Sequence, residues 1–184
     1  LASSRRPWPT RCGRMRRQTV CYHQALLANP SRVISDSLAR DPSRWSKENR
    51  RQLHQWQLWL SLERGVDGQQ HLLSESQRQV CRDAMQHTQV TISRLQRSVA
   101  AALAAVQHGF EEEHLEPRTG YSLDLALPSS RVAIEVDGPS HFLLPDDRGV
   151  RKPNGPTLLK RRLLAAAGWR VTSVPFYELS LIHI

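Results

Sequence analysis

Apolar residues recur every three to four positions up to Gly109 and every second position beyond it, so a helical region is predicted to precede a sheet. Leu53, Trp56 and Leu60 mark the first helix, over about 43–62, with Trp45, Trp59 and Leu62 adding bulk. Asp41-Pro42 supplies its start and Gly65 its stop, and residues 66–73 read as a connector. A second, mostly polar helix is expected over about 74–87. A third, with Ile92, Leu95, Val99, Leu103 and Val106 in step, covers about 88–108 and closes at Gly109; the two stand either separate or continuous. Trp56 and Trp59 invite a base-stacking reading, but aromatic residues on an apolar helical stripe read as core. No repeat with the ~34- to 45-residue period of helical arrays is visible.

Past Gly109 a weak first strand, 110–115, carries Glu111, Glu112 and Glu113. Strands over 121–127 and 131–137 follow. If Leu123, Leu125 and Leu127 share a face with Val132, Ile134 and Val136, burial sets Leu127 opposite Val132 and leaves Pro128 to Arg131 as a four-residue loop. The other face then carries Asp124, Glu135 and Asp137. Asp124 lies directly across from Glu135, with Cβ atoms about 5 Å apart. Like charges so placed are destabilising, and a cation or a shared proton is the expected compensation. An aperiodic loop over about 138–155 is long enough to suggest function or mobility. Pro156 or Thr157 opens a helix closed by Gly168, and a last strand covers 169–174. The order helix, three strands, helix, strand gives an α/β or α+β sandwich with a mixed sheet.

Charge narrows the partners. The chain has 184 residues and a formal net charge of +9, with a pI near 10.5, which favours a polyanion such as a nucleic acid. Cys12, Cys21 and Cys81 are odd in number and widely spaced, so neither a disulfide framework nor a zinc site is indicated. No apolar run approaches the ~20 residues that span a bilayer, and no membrane association is expected. Residues 1–35 contain seven arginines and no acid. Residues 1–42 are expected to be a basic, disordered segment, a composition shared with organellar transit peptides. The chain reads as a fragment: it begins at Leu1, any targeting signal would lie upstream, and 180–184 would be a truncated tail.

Three blocks, LDLALP at 123–128, IEVDGPSHF at 134–142 and TLLKRRLLAAAGWRVTSVPFYE at 157–178, resemble the RAP domain, itself regarded as related to the PD-(D/E)XK nucleases. The resemblance covers about 120–179 within a domain expected over 110–179, behind a helical region at 43–109. It implies a restriction-endonuclease-like α-β-β-β-α-β core with a mixed sheet, as at the C-terminus of organellar octotricopeptide-repeat and FAST-kinase-like proteins. QLHQWQLWL at 52–60 also resembles, weakly, the helical region that precedes such domains. The resemblance implies an RNA-binding module in a mitochondrion or chloroplast, working on single-stranded organellar transcripts in processing, stabilisation or translation, beside other RNA-processing proteins. Lys160, Arg161, Arg162, Arg148, Arg151 and Lys152 are the candidate RNA contacts, and binding requires no cofactor. At most two of the consecutive residues 160–162 can reach one ligand. The alternatives are a protein-interaction module and a nuclease using Mg²⁺ or Mn²⁺. For the nuclease, Asp124 and Glu135 match the metal-binding acids by position, and Asp137 stands where that pattern has lysine. Lys160 from the next helix would replace the missing cation, or Asp137 would be a third metal ligand with His141 as base or ligand.

Overall fold

A computed structural model of the chain describes residues 30–86 and 92–179. The basic arm at 1–29, Cys12, Cys21 and the tail at 180–184 lie outside the described residues. The elements are α1 (Pro30–Arg40), α2 (Lys47–Leu62), α3 (Gly65–Gln69), α4 (Glu75–Gln86), α5 (Arg94–Ala104), β1 (Glu111–Leu115), β2 (Ser122–Leu127), β3 (Val132–Asp137), α6 (Gly155–Ala166), β4 (Arg170–Pro175) and α7 (Phe176–Leu179). Helices are followed by a four-stranded mixed sheet, an α+β arrangement. In the sheet order β1-β2-β3-β4 the first two pairings are antiparallel and β4 runs parallel to β3. Among the described residues no helix is long and apolar enough to cross a membrane.

One expectation is corrected. Residues 30–40, assigned to the disordered arm, form α1, because Ile34 and Leu38 give them an apolar stripe. That stripe packs with Leu53, Leu73 and Cys81, and Trp45 and Trp56 border the cluster. The second and third predicted helices are separate. Ser93 is extended, and its hydroxyl accepts the Gln96 N–H, so α5 starts afresh at Arg94.

The helix α2 is a wall shared by two cores. Ser46 and Asn49 cap its start reciprocally. Leu53 faces the helical cluster, while Leu58 joins the sheet cluster of Leu123, Ala126, Ala133, Leu163, Leu164 and Trp169. Trp59 also packs against that sheet cluster, so both α2 tryptophans pack on cores. The hairpin register follows the burial argument: Leu127 pairs Val132 and Leu125 pairs Ile134. The intervening loop is a 3₁₀ turn closed by Arg131 in the left-handed region, at φ 51°. Leu163, Leu164 and Ala167 of the α6 segment cover the face carrying Ala126 and Ala133, which is also the face of the acids.

Candidate nucleic-acid interface and the buried acid cluster

Continuing the hairpin register places Asp124 across from Glu135, and the compensation expected for paired carboxylates is present as cations. The Lys160 ammonium donates to Glu135 Oε2. Arg161 Nη2 donates to Asp137 Oδ2 at 2.5 Å and to Ser173 Oγ at 2.6 Å, and the Ser173 hydroxyl also donates to Asp137. His141 Nδ1 lies 3.0 Å from Asp137 Oδ1. Asp124 Oδ2 accepts the Val136 N–H at 2.7 Å, supplying an acceptor where the β2–β3 ladder ends. A fourth nearby acid, Glu113, is held by Gln96 Nε2 and Ser122 Oγ, each at 2.7 Å. Lys160 and Arg161 turn to the acids, while Arg162 points the other way and donates to Glu63 of α2. Three consecutive helical residues thus split between two faces.

Burial sets the titration of this cluster. Glu135 is 3% exposed and Asp137 2%. Burial pushes Glu135 up to about 7, against the pull of Lys160. Burial also acts to raise Asp137, but hydrogen bonds from His141, Ser173 and Arg161 outweigh it and hold the group at about 2. Asp124 is raised by burial, with the Val136 N–H opposing. His141 is raised by its hydrogen bond to Asp137. With His141 protonated, Lys160, Arg161 and His141 set three cations beside Asp124, Glu135 and Asp137.

Groups of the protein itself occupy most of the oxygens that a divalent ion would use. Mg²⁺ or Mn²⁺ takes about six oxygen ligands, several of them water, and is held through one or two carboxylates. Both Asp137 oxygens are taken by His141, Arg161 and Ser173, Glu135 Oε2 is taken by Lys160, and Asp124 Oδ2 by the Val136 amide. Glu135 Oε1 is buried without a partner. Among the described residues no group of three His, Cys, Asp or Glu side chains is arranged to hold a metal. The cavity beside the acids is about 190 Å³, below the ~300–1,000 Å³ of small-molecule sites. Asp124, Glu135, Asp137, Lys160 and His141 therefore come together as a closed ion-pair network.

Asn154 closes the network from outside. Its Oδ1 accepts the Thr157 N–H at 3.0 Å as the cap of α6, and its Nδ2 donates to the Ser140 carbonyl at 2.7 Å. The turn bearing His141 is thereby tied to the helix bearing Lys160 and Arg161. An Asn ahead of Gly-Pro at a helix start is a readable capping signal. Ser173 has no such signal; the parallel β3–β4 pairing delivers it opposite Glu135.

The remaining predicted cations sit on an open edge. The long loop folds back on itself: Phe142 bridges Pro153, and the Leu143 N–H donates to the Lys152 carbonyl at 2.8 Å. At its tip Asp146 Oδ1 accepts the N–H groups of Arg148 and Val150, and Gly149 takes φ 74°. Arg148, Arg151 and Lys152 are exposed on this hairpin. At its base Phe142, Phe176 and Tyr177 form a cluster with ring centroids 5.4–6.0 Å apart, and the Arg151 guanidinium lies 5.3 Å from the Phe176 ring centroid. Phe142 and Phe176 were not among the candidates, because an isolated Phe on a loop and another after a strand share no periodicity. Trp169, by contrast, is buried in the sheet core.

The RAP domain family matches residues 134–182. Over 86 residues the chain is 37% identical to a RAP domain-containing protein, chloroplastic, of Oryza sativa subsp. japonica. That alignment covers 47% of this chain, and the chain spans only 12% of the length of that relative. The match begins inside β3 and takes in the acids Glu135 and Asp137, the folded-back loop, all of α6 and β4. The C-terminal part of this chain is a RAP domain.

Proposed function

We propose that this chain is the RNA-binding module of an organellar RNA-metabolism factor, acting in processing, stabilisation or translation of a transcript. The observation that carries the reading is the open edge of the RAP domain, where Arg151 lies over the Phe142–Phe176–Tyr177 cluster and Arg148 and Lys152 are exposed on the same loop. Guanidinium and ammonium groups contact phosphates without reading sequence, and an adjacent aromatic face stacks any base. The chain's +9 charge supports the same partner. The plastid assignment of the rice relative supports an organellar setting. The acid cluster supports binding over cleavage, since most of its oxygens are engaged by groups within the protein.

The test is fluorescence anisotropy of labelled oligouridylate across a salt series. Two or three neutralised phosphates give a log–log slope of about −1.4 to −2 for a single strand. Arg151→Glu with Lys152→Glu is expected to weaken binding and flatten that slope. Phe176→Ala is expected to weaken it by about 1–3 kcal/mol with the slope unchanged. Absence of binding at low salt, or full binding by the charge-reversed variant, would defeat the reading.

A further inference from the structure

A second cleft lies away from both the acid cluster and the loop edge, where α2 and α4 meet the β1–β2 turn. Its volume is about 460 Å³, within the ~300–1,000 Å³ range of small-ligand sites. Arg78 and Arg82 line it from successive turns of α4, and Arg118 lines it from the turn. Leu58 and Leu62 of α2 add an apolar wall.

The turn is rigid. Glu116, 2% exposed, accepts both the N–H and the hydroxyl of Thr119, at 2.6 and 2.7 Å. His54 Nε2 lies 2.7 Å from the Thr119 carbonyl, and because a carbonyl only accepts, this nitrogen carries the proton. Burial lowers the His54 pKa against the hydrogen bond to Thr119, and the Arg82 charge lowers it further. Gly120 takes φ 73°, a left-handed conformation that favours glycine, and a Cβ there would make ordinary contacts with Met85 and His54. Arg118 is anchored from behind by its Nη1 bond to the Ala167 carbonyl at 3.1 Å.

The donors outnumber their acceptors. Arg78 pairs with Glu75, Arg82 Nη2 lies 3.9 Å from the same carboxylate and Arg82 Nη1 donates to Gln79 Oε1 at 3.2 Å, so one exposed acid offsets the charge of two of the three guanidiniums. The inner nitrogens Arg78 Nε, Arg82 Nε and Gln57 Nε2 are all buried without a partner. Gln57 is itself 3% exposed and lines the cleft. Its Oε1 is already used by the Leu73 N–H at 2.7 Å. Each unmade buried bond costs about 1–3 kcal/mol, so the site favours a ligand that brings several acceptor oxygens and negative charge.

We propose that this cleft is a nucleotide-phosphate site. Arg78, Arg82 and Arg118 hold the phosphate, Gln57 offers an amide donor, and the apolar wall takes the nucleoside. The inference rests on the RNA-binding reading only for the source of the nucleotide, because the same donors recognise a free nucleotide and a nucleotide at the end of a strand.

The experiment titrates the full chain with uridine 5′-monophosphate, inorganic phosphate and uridine, following the arginine Nε–H resonances by NMR. Uridine monophosphate is expected to shift the Arg78 and Arg82 Nε–H signals saturably, phosphate to compete with it, and uridine alone to leave them unmoved. Arg82→Gln and, separately, Arg118→Gln are each expected to weaken nucleotide binding about tenfold or more, the loss of a charge-assisted contact, with unchanged circular dichroism. Lack of a saturable shift, equal binding of uridine and its phosphate, or full affinity in both folded variants overturns the proposal. The source is read with 5′-phosphorylated oligouridylate on the Arg151→Glu, Lys152→Glu variant. Competition with the mononucleotide there assigns the site to a strand end, and its absence assigns it to a free nucleotide. Because that variant leaves the cleft intact, loss of the open-edge interface and loss of this site are separately visible.

Discussion

Replacing Lys160 by Met removes the cation on Glu135 while keeping most of the hydrocarbon stem. Glu135 is 3% exposed and held at about 7 rather than its ordinary 4.5. Its folded-state pKa is raised, so the stability linked to its protonation is fully present below pH 4.5 and is lost as pH rises through about 7. At 1.36 kcal/mol per unit this amounts to about 3 kcal/mol over that window. At pH 5 the folded protein carries neutral Glu135 with or without Lys160, and Lys160→Met is expected to cost about 1 kcal/mol, one hydrogen bond. At pH 9 the wild-type carboxylate is ionised and paired, and the variant leaves it alone in a buried site. Breaking such a pair costs about 3–5 kcal/mol, and protonation of Glu135 holds the loss near the lower figure. Urea unfolding at pH 5, 7 and 9 therefore shows a destabilisation that grows roughly threefold with pH. Glu135→Gln is expected to remove most of the wild-type decline between pH 4.5 and 7, leaving the slope from His141 above its ordinary 6.5. A pH-independent cost for Lys160→Met, or an undiminished decline in Glu135→Gln, refutes the reasoning.

Asp137→Asn strips the partner from Arg161 and His141 and is expected to cost about 3–5 kcal/mol near neutrality, measured by urea unfolding. Because Asp137 is held at about 2, its contribution is present above 3.8 and is lost as pH falls through about 2. The variant therefore converges on wild type in strong acid. Gly120→Ala forces a side chain onto a backbone at φ 73° and is expected to cost about 1–3 kcal/mol in thermal unfolding.

The sheet was legible because a period-two pattern with one apolar face admits a single register, and LDLAL against VAIEVD reads only one way. The same pattern misleads about the other face. Asp124, Glu135 and Asp137 read as an open polar surface, yet α6 covers them, because Lys160 and Arg161 carry the neutralising charges in with the helix. A helix that reads as a basic phosphate-binding prong is, for two of its three cations, an internal counter-ion. The α1 stripe of Ile34 and Leu38 was hidden by the arginine-rich, acid-free stretch before it. The aromatic cluster escapes sequence reading for a topological reason: residues 34 and 35 positions apart meet only when β4 lies beside β3.

Binding and cleavage by this RAP domain separate in one assay: purified protein with end-labelled single-stranded RNA, with and without Mn²⁺, read together for retention and strand length. A closed acid network beside an open basic-aromatic edge predicts RNA retained at low salt and intact in both conditions. Shortened RNA that appears only with Mn²⁺ and disappears in Glu135→Ala would contradict it.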